Sequence, residues 1–357
     1  MSPVLPKASL NRRLSRRPLH NLSGGFFMRY ANSWFDPLFT TSLLIASALC
    51  LPSSGREPQT IVQAHHGRVR AICFSPDDRW FASVGDDEFL RIWKVPTAEL
   101  IATLALREAP GFDVDVSPDG RFLAVGTGKG FECWSVEERN RVQAISSPNL
   151  SVNAIRYSTT GRVVAAAHST GPTTVWNPKT GSQVASLATP SGGAASLSFS
   201  PDGKNLSCCT GHKTLTFWNT TDWTLTKSVR TKATATYVCF APKGKALAFA
   251  TLRVDPGRPP ATQAGCAAVC FAATDDLTHY QIEEVHNSYI ISLSFDRSAS
   301  WLASTSNDSM ILWKVDAHRV TSHMTLAGPT SCASLGRATR LCAVGMRNGS
   351  IKLFLFD

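Results

Sequence analysis

Several kinds of signal are missing from this chain, and each absence removes a class of protein. No stretch shows the 3.6-residue apolar period of an amphipathic helix. No Cys-x2-Cys pair stands near a second such pair, so the ten cysteines offer no zinc pattern. No Gly-rich loop opens a helix to cradle phosphate, and no carboxylate pair stands outside the repeated motifs described below. Concentrated positive charge is missing too. The net charge is +10, but residues 1–58 hold seven Lys/Arg against Asp36 and Glu57, which leaves +5 spread over the remaining 299 residues. A charge that dilute is not a nucleic-acid footprint, and no nucleic-acid partner is expected.

What is present is a repeat. The stretch from Val69 to Trp93 strings together an alternating apolar run, a Ser-Pro-Asp turn, a second apolar run, and a third that closes on an aromatic. Its closing aromatic returns at Trp134, Trp176, Trp218, Phe271, Trp313 and Phe354, with spacings of 41, 42, 42, 53, 42 and 41 residues counted from Trp93. A fixed period near 40 residues argues for one repetitive domain rather than two ordinary ones. Two-residue alternation in Val69, Ala71, Cys73 and in Leu90, Ile92 is that of half-buried strands, and turns such as Ser117-Pro118-Asp119-Gly120 separate them. The fold class is therefore all-β. Cys73 and Cys239 occupy equivalent repeat positions, as do Cys133 and Cys270, so the cysteines read as small buried hydrophobes. Adjacent Cys208 and Cys209 point to opposite faces of a strand.

Residues 1–58 stand outside the repeat. A basic lead is followed by an apolar segment, 38–52, whose heart is Leu43–Leu51 with the small residues Ala46-Ser47-Ala48. That order fits an export signal or an uncleaved anchor, with a loosely docked extension as the alternative, and the core is short for a membrane span. Membrane targeting through 38–52 is the corresponding expectation, and a start at Met28 would give a more ordinary leader.

The motifs in order resemble those of the WD-repeat family of β-propellers, over roughly residues 59–357. Blade one carries Ala64-His65, Phe74-Ser75-Pro76-Asp77, Asp87 and Ile92-Trp93-Lys94; blade six carries Val285-His286, Asp308 and Leu312-Trp313-Lys314. The resemblance implies a seven-bladed ring of four-stranded antiparallel blades. Little chain follows Phe354, whereas Gln59-Thr60-Ile61-Val62 stands before His65 as Gln281–Val285 stands before His286, so the N-terminal strand is expected to complete the last blade. Without that strand an open edge would invite aggregation.

The same resemblance assigns His65, Ser83, Asp87, Trp93 and His286, Ser304, Asp308, Trp313 to structural hydrogen-bond tetrads, although the residue types are those of a hydrolase triad. Blades two to five and seven lack the full set, with Gly128 or Thr170 where the Asp would stand, and are expected to rely more on apolar packing and to be softer. Partner contacts are expected on the connections between second and third strands. These include Lys129, Lys213 and Arg347, and the insertion 253–263 with Arg253, Asp255 and Arg258. Against the acidic sector of Asp86 and Glu88, those cations favour an acidic or phosphorylated peptide. First strands reading Ala71-Cys73, Ala154-Arg156, Ser196-Ser198 and Ser292-Ser294 suggest a wet channel with no reactive set. The expectation is a non-catalytic interaction scaffold without cofactor or metal, as against a propeller enzyme or ligand binder using the channel, or an exported envelope subunit.

Overall fold

At Ser75-Pro76-Asp77-Asp78 the chain reverses, and the turn is closed by its own side chains. Ser75 Oγ donates to Asp77 Oδ1 at 2.7 Å and accepts from the Trp80 N–H at 3.2 Å. Ser117 with Asp119 and Ser200 with Asp202 repeat the device. Each such turn joins the first and second strands of a blade. The computed structural model describes residues 59–356, apart from 62, 108, 147–150, 190, 191, 211, 253–266, 278, 279 and 317–319. The leader, with segment 38–52 and Met28, and the insertion 253–263 lie outside the described residues.

Seven antiparallel four-stranded sheets follow one another around an axis, and the described residues include no helix. Six blades are made from consecutive strands. Their innermost strands are Val69–Phe74, Gly111–Val116, Val152–Tyr157, Ser196–Phe199, Thr234–Phe240 and Ser292–Phe295. Blade seven takes Thr330–Leu335, Leu341–Met346 and Ile351–Leu355 from the end of the chain and Gln59–Ile61 from its other end. Gln59 is opposite Leu353 and Ile61 opposite Ile351, so the expected closure is the observed one.

No single core fills the middle. Buried apolar side chains form seven clusters, each lying between two neighbouring blades. Strand alternation produces this division: Ala71 and Cys73 face blade two, while Ile72 and Phe74 face blade seven. Cys208 packs toward blade three and Cys209 toward blade five, on opposite faces of one strand. None of the eight described cysteines is in a disulfide, and burial pushes Cys332 up to about 12 and Cys239 to about 11.

Inner strands leave one edge without a ladder partner, and their side chains stitch it to the next blade. Ser198 Oγ accepts from the Phe240 N–H at 3.1 Å, and Ser294 Oγ accepts from the Leu335 N–H at 3.1 Å. Asp113 and Asp115 do the same for the N–H groups of Ile155 and Tyr157, both at 2.8 Å. A buried N–H without an acceptor is costly, so these positions are polar for the sake of the ring.

The seam between blades seven and one carries further ties. His65 N–H donates to the Gly349 carbonyl at 2.9 Å, and Ser331 Oγ donates to the Val69 carbonyl at 2.6 Å. On the opposite face Asp78 accepts from the N–H groups of Arg337, Ala338 and Thr339 and from Thr339 Oγ1, at 2.7, 2.5, 2.9 and 2.9 Å. Asp78 is buried with φ of 55°, where blades two to five place Gly120, Gly161, Gly203 and Gly244. Its backbone accepts an unfavourable conformation so that its carboxylate can clamp blade seven's turn.

Candidate functional site

Three places bring functional residue types together: the two tetrads, the central channel, and the face bearing the connections between second and third strands.

In blade one Trp93 Nε1–H donates to Ser83 Oγ at 2.9 Å, Ser83 Oγ lies 2.8 Å from His65 Nε2, and His65 Nδ1 lies 2.8 Å from Asp87 Oδ1. One proton arrangement satisfies all of them: Ser83 donates to Nε2, and His65 Nδ1–H donates to Asp87. Burial lowers the His65 pKa, with Asp87 pulling the other way, so the ring is neutral at pH 7. Burial works against the Asp87 charge, but hydrogen bonds from His65 and the His66 N–H, with Arg91 at 2.7 Å, hold its carboxyl below the usual range. Ser83 is wholly buried and its oxygen is occupied from two sides, so no substrate carbonyl can reach it.

Blade six departs from this pattern. Trp313 Nε1–H donates to Ser304 Oγ at 2.9 Å, and His286 Nε2 lies 2.7 Å from the same oxygen. Its Nδ1, however, meets Ser306 Oγ at 2.9 Å and Ser309 Oγ at 3.1 Å, and Asp308 is reached through these hydroxyls rather than directly. Burial drives the His286 pKa down to about 4. Asp308 also accepts from Ser288 Oγ at 3.1 Å, which pins the connection between blades five and six.

Two blades without the tetrad replace part of it. Trp176 Nε1–H donates to Thr174 Oγ1 at 2.8 Å, and His168 Nε2 lies 2.8 Å from that hydroxyl; Trp218 Nε1–H donates to Thr216 Oγ1 at 3.4 Å. The signal was a Thr two residues before the closing Trp on the same strand face. Purely apolar packing is therefore not what holds blades three and four.

Along the axis runs a channel of about 700 Å³, lined by residues from all seven blades. Beside the small residues that the sequence places there, larger polar side chains enter it. Arg156 of blade three donates to Asp113 Oδ2 of blade two at 2.5 Å and to Tyr237 Oη of blade five at 2.9 Å, bracing three blades across the lumen. Burial works against the Arg156 charge, yet Asp113, then Tyr237 and Asp115, outweigh it and hold the guanidinium protonated. Burial pushes the Asp113 and Asp115 carboxyls up against the pull of Arg156 and of backbone donors. Asp113 and Asp115 alternate on blade two's first strand, and that alternation was the legible sign of an inner polar lining. Among the described residues no cluster of three or more His, Cys, Asp or Glu is placed to hold a metal ion.

The connecting loops place Lys129, Lys213 and Arg347 on one face, each exposed, in blades two, four and seven. Asp86 and Glu88 lie on the same face in blade one, where Asp86 is engaged by Arg70 Nε at 2.6 Å and by the Arg68 N–H at 3.2 Å. Arg253, Asp255 and Arg258 fall between the strands Ala246–Leu252 and Ala267–Ala273, outside the described residues. Sequence reasoning missed Tyr289 on this face. Its side chain is 54% exposed, while Ser288 before it binds Asp308 and the Asn307 N–H, and Ile290 after it is buried. An aromatic among Asn and Ser in a connection between strands was the available signal.

These features define a closed seven-bladed propeller whose inner strands and turns recur from blade to blade, with buried His-Ser-Trp chains in blades one and six. The family model "WD domain, G-beta repeat" matches residues 56–94, 181–219 and 278–314. The chain thus carries WD repeats at those residues on a seven-bladed β-propeller. It is similar to the target of rapamycin complex subunit LST8 of Bos taurus, 26% identical over 198 residues, covering 51% of this chain and 59% of that protein. It is also similar to protein FIZZY-RELATED 3 of Arabidopsis thaliana, 28% identical over 160 residues, covering 43% of this chain and 33% of that protein. The matched region thus spans between about a third and three fifths of these relatives. Among solved structures, a chain of Kuenenia stuttgartiensis hydrazine synthase superposes with a TM-score of 0.71 at 15% identity, covering 83% of this chain and 99% of that one; the likeness is one of fold.

Proposed function

We propose that this propeller is a non-catalytic scaffold that captures a partner protein or peptide on its loop face. The WD-repeat relatives point to an interaction scaffold, and one of them is by its name a subunit of a complex. The observation that carries the reading is Tyr289. Exposed aromatics on rigid mounts are the usual anchors of interfaces, because little side-chain freedom is lost when a partner covers them. Lys213 and Arg347, with Lys129 across the face, favour an acidic or phosphorylated segment, and the insertion with Arg253, Asp255 and Arg258 supplies a further contact. Both tetrads support the reading from the other side, since their histidines and serines are spent on holding strands together.

The test is affinity capture with cross-linking from cells expressing the full chain or its Tyr289→Ala variant. Loss of specific partners at unchanged melting temperature is expected; an identical capture profile counts against the loop face. A second reading, a small-ligand site in the channel, is favoured by the convergence of Asp113, Arg156 and Tyr237. It predicts a ligand-dependent rise in melting temperature that Tyr237→Phe abolishes. Export or anchoring through segment 38–52 is a separate proposal, checked by sequencing the N-terminus of the purified protein.

A further inference from the structure

The face opposite the loops is organised concentrically by charge. At the residue just after the first-to-second-strand turn, six blades place a cation: Arg79, Arg121, Arg162, Lys204, Lys245 and Arg340, all exposed. Lys243 stands beside them, and Arg297 and Arg337 line the channel opening itself. Exposed carboxylates in the same annulus are Asp77, Asp119 and Asp202, and each is already held by the serine and the N–H of its own turn. Asp78 and Asp296 are buried, clamping blade seven and capping Trp301. Of the annular cations, Arg79 alone among the described residues has a carboxylate within ion-pair distance, Asp77 at 3.5 Å. Farther from the axis the balance shifts: the third-to-fourth-strand turns expose Glu99, Glu137, Glu138, Asp222, Asp275, Asp276 and Asp316 against Arg139 and Lys179.

The annulus is also stiff. A side chain at Gly120 would start 3.4 Å from the Pro76 ring, and one at Gly161 would start 3.3 Å from the Pro118 ring, so successive turns are packed on one another. Like charges held together with few counterions, around a cavity with low-dielectric walls, focus a positive potential on the axis. A mobile anion gains from such a field without ordering the protein further.

We propose that this turn face is a second docking surface, fitted to an acidic polypeptide segment lying across the channel opening. Separate cations interleaved with Asp77, Asp119 and Asp202 suit the spaced carboxylates of a peptide. They suit poorly the continuous backbone charge of duplex DNA, about one per 1.7 Å. The described turns of this annulus offer no exposed aromatic on which bases could stack, which disfavours single strands. The surface is distinct from the loop face and its use does not depend on Tyr289.

The test measures binding of a labelled poly-glutamate peptide to the full chain by fluorescence anisotropy, at low and at physiological salt. Binding that weakens with salt is expected. Substituting Arg121, Arg162, Lys204 and Lys245 together by Glu should lower affinity by about tenfold or more, and the same four by Gln should lower it less. These side chains are exposed, and the Gln series serves where the Glu series fails to fold. A control on the outer strand of blade four, Lys227→Glu with Arg230→Glu, both exposed, should change affinity by less than about twofold. Retention of affinity by the turn-face variants, an equal loss in the outer-strand control, or tighter binding of an oligothymidylate of matching charge overturns the proposal.

Discussion

Replacing Asp78 tests whether one carboxylate clamps the ring where it closes. Asp78→Ala removes the acceptor of three N–H donors and one hydroxyl, all on blade seven's turn. A hydrogen bond to a charged group nets about 1.5–3 kcal/mol, but Arg337, Ala338 and Thr339 are exposed, so water recovers much of their bonding once the carboxylate is gone. The expected loss is about 2–4 kcal/mol, read as a lowered midpoint in urea denaturation. Asp78→Gly is the sharper variant. It relieves the positive φ, worth about 1 kcal/mol, and restores the residue that four other blades use, so turn chemistry alone predicts a gain in stability. The clamp predicts a net loss of about 1–3 kcal/mol instead. Stability at or above that of the parent chain in Asp78→Gly would refute the reasoning.

Trp134 Nε1–H has no protein acceptor among the described residues, whereas Trp93 Nε1–H holds Ser83. Trp134→Phe should therefore cost less than about 1 kcal/mol and Trp93→Phe about 1–3, measured by the same denaturation; equal costs would remove the hydrogen-bond argument. For His286, the unfolded state takes up a proton near pH 6.5 and the folded state only near 4, so stability is complete above 6.5 and is lost as pH falls through that window, by up to about 3 kcal/mol. His286→Gln should have a shallower pH profile, with the remaining slope contributed by His65, whose pKa is lowered in the same direction. Arg156→Met should cost about 3–5 kcal/mol by leaving Asp113 buried without its counterion, and adding Asp113→Asn should recover part of it. Strict additivity of the two substitutions would show that the brace is not coupled.

The architecture was legible because it is local and repeated. Closing aromatics from Trp93 to Phe354 keep a near-constant spacing but for the one insertion, and the turns of blades one, two and four carry their own Ser and Asp chemistry within a few residues. Ring closure was legible for the same reason, since Gln59–Ile61 falls in the register a fourth strand needs. Residues whose partners lie in another blade were not. Ser198 and Ser294 look like small channel linings until the next blade's backbone, some 42 and 41 residues on, is seen to need an acceptor. Arg156 meets Tyr237 across 81 residues, and Asp78 meets Thr339 across 261, distances over which no periodicity carries information. Asp308 stood at the tetrad position by pattern, yet Ser306 intervenes and turns it toward Ser288, a choice made by local loop geometry.

The closed ring, with rigid faces held by a strand from the chain's other end, is measured most directly by hydrogen–deuterium exchange over Ile351–Leu355. That strand lies between Leu341–Met346 and Gln59–Ile61 and should be as protected as the third strand of blade six, Ser309–Val315. Deleting Gln59–Gln63 within the full chain should raise its exchange by about tenfold or more while leaving blades two to five unchanged. Equal protection with and without those residues would contradict the closure.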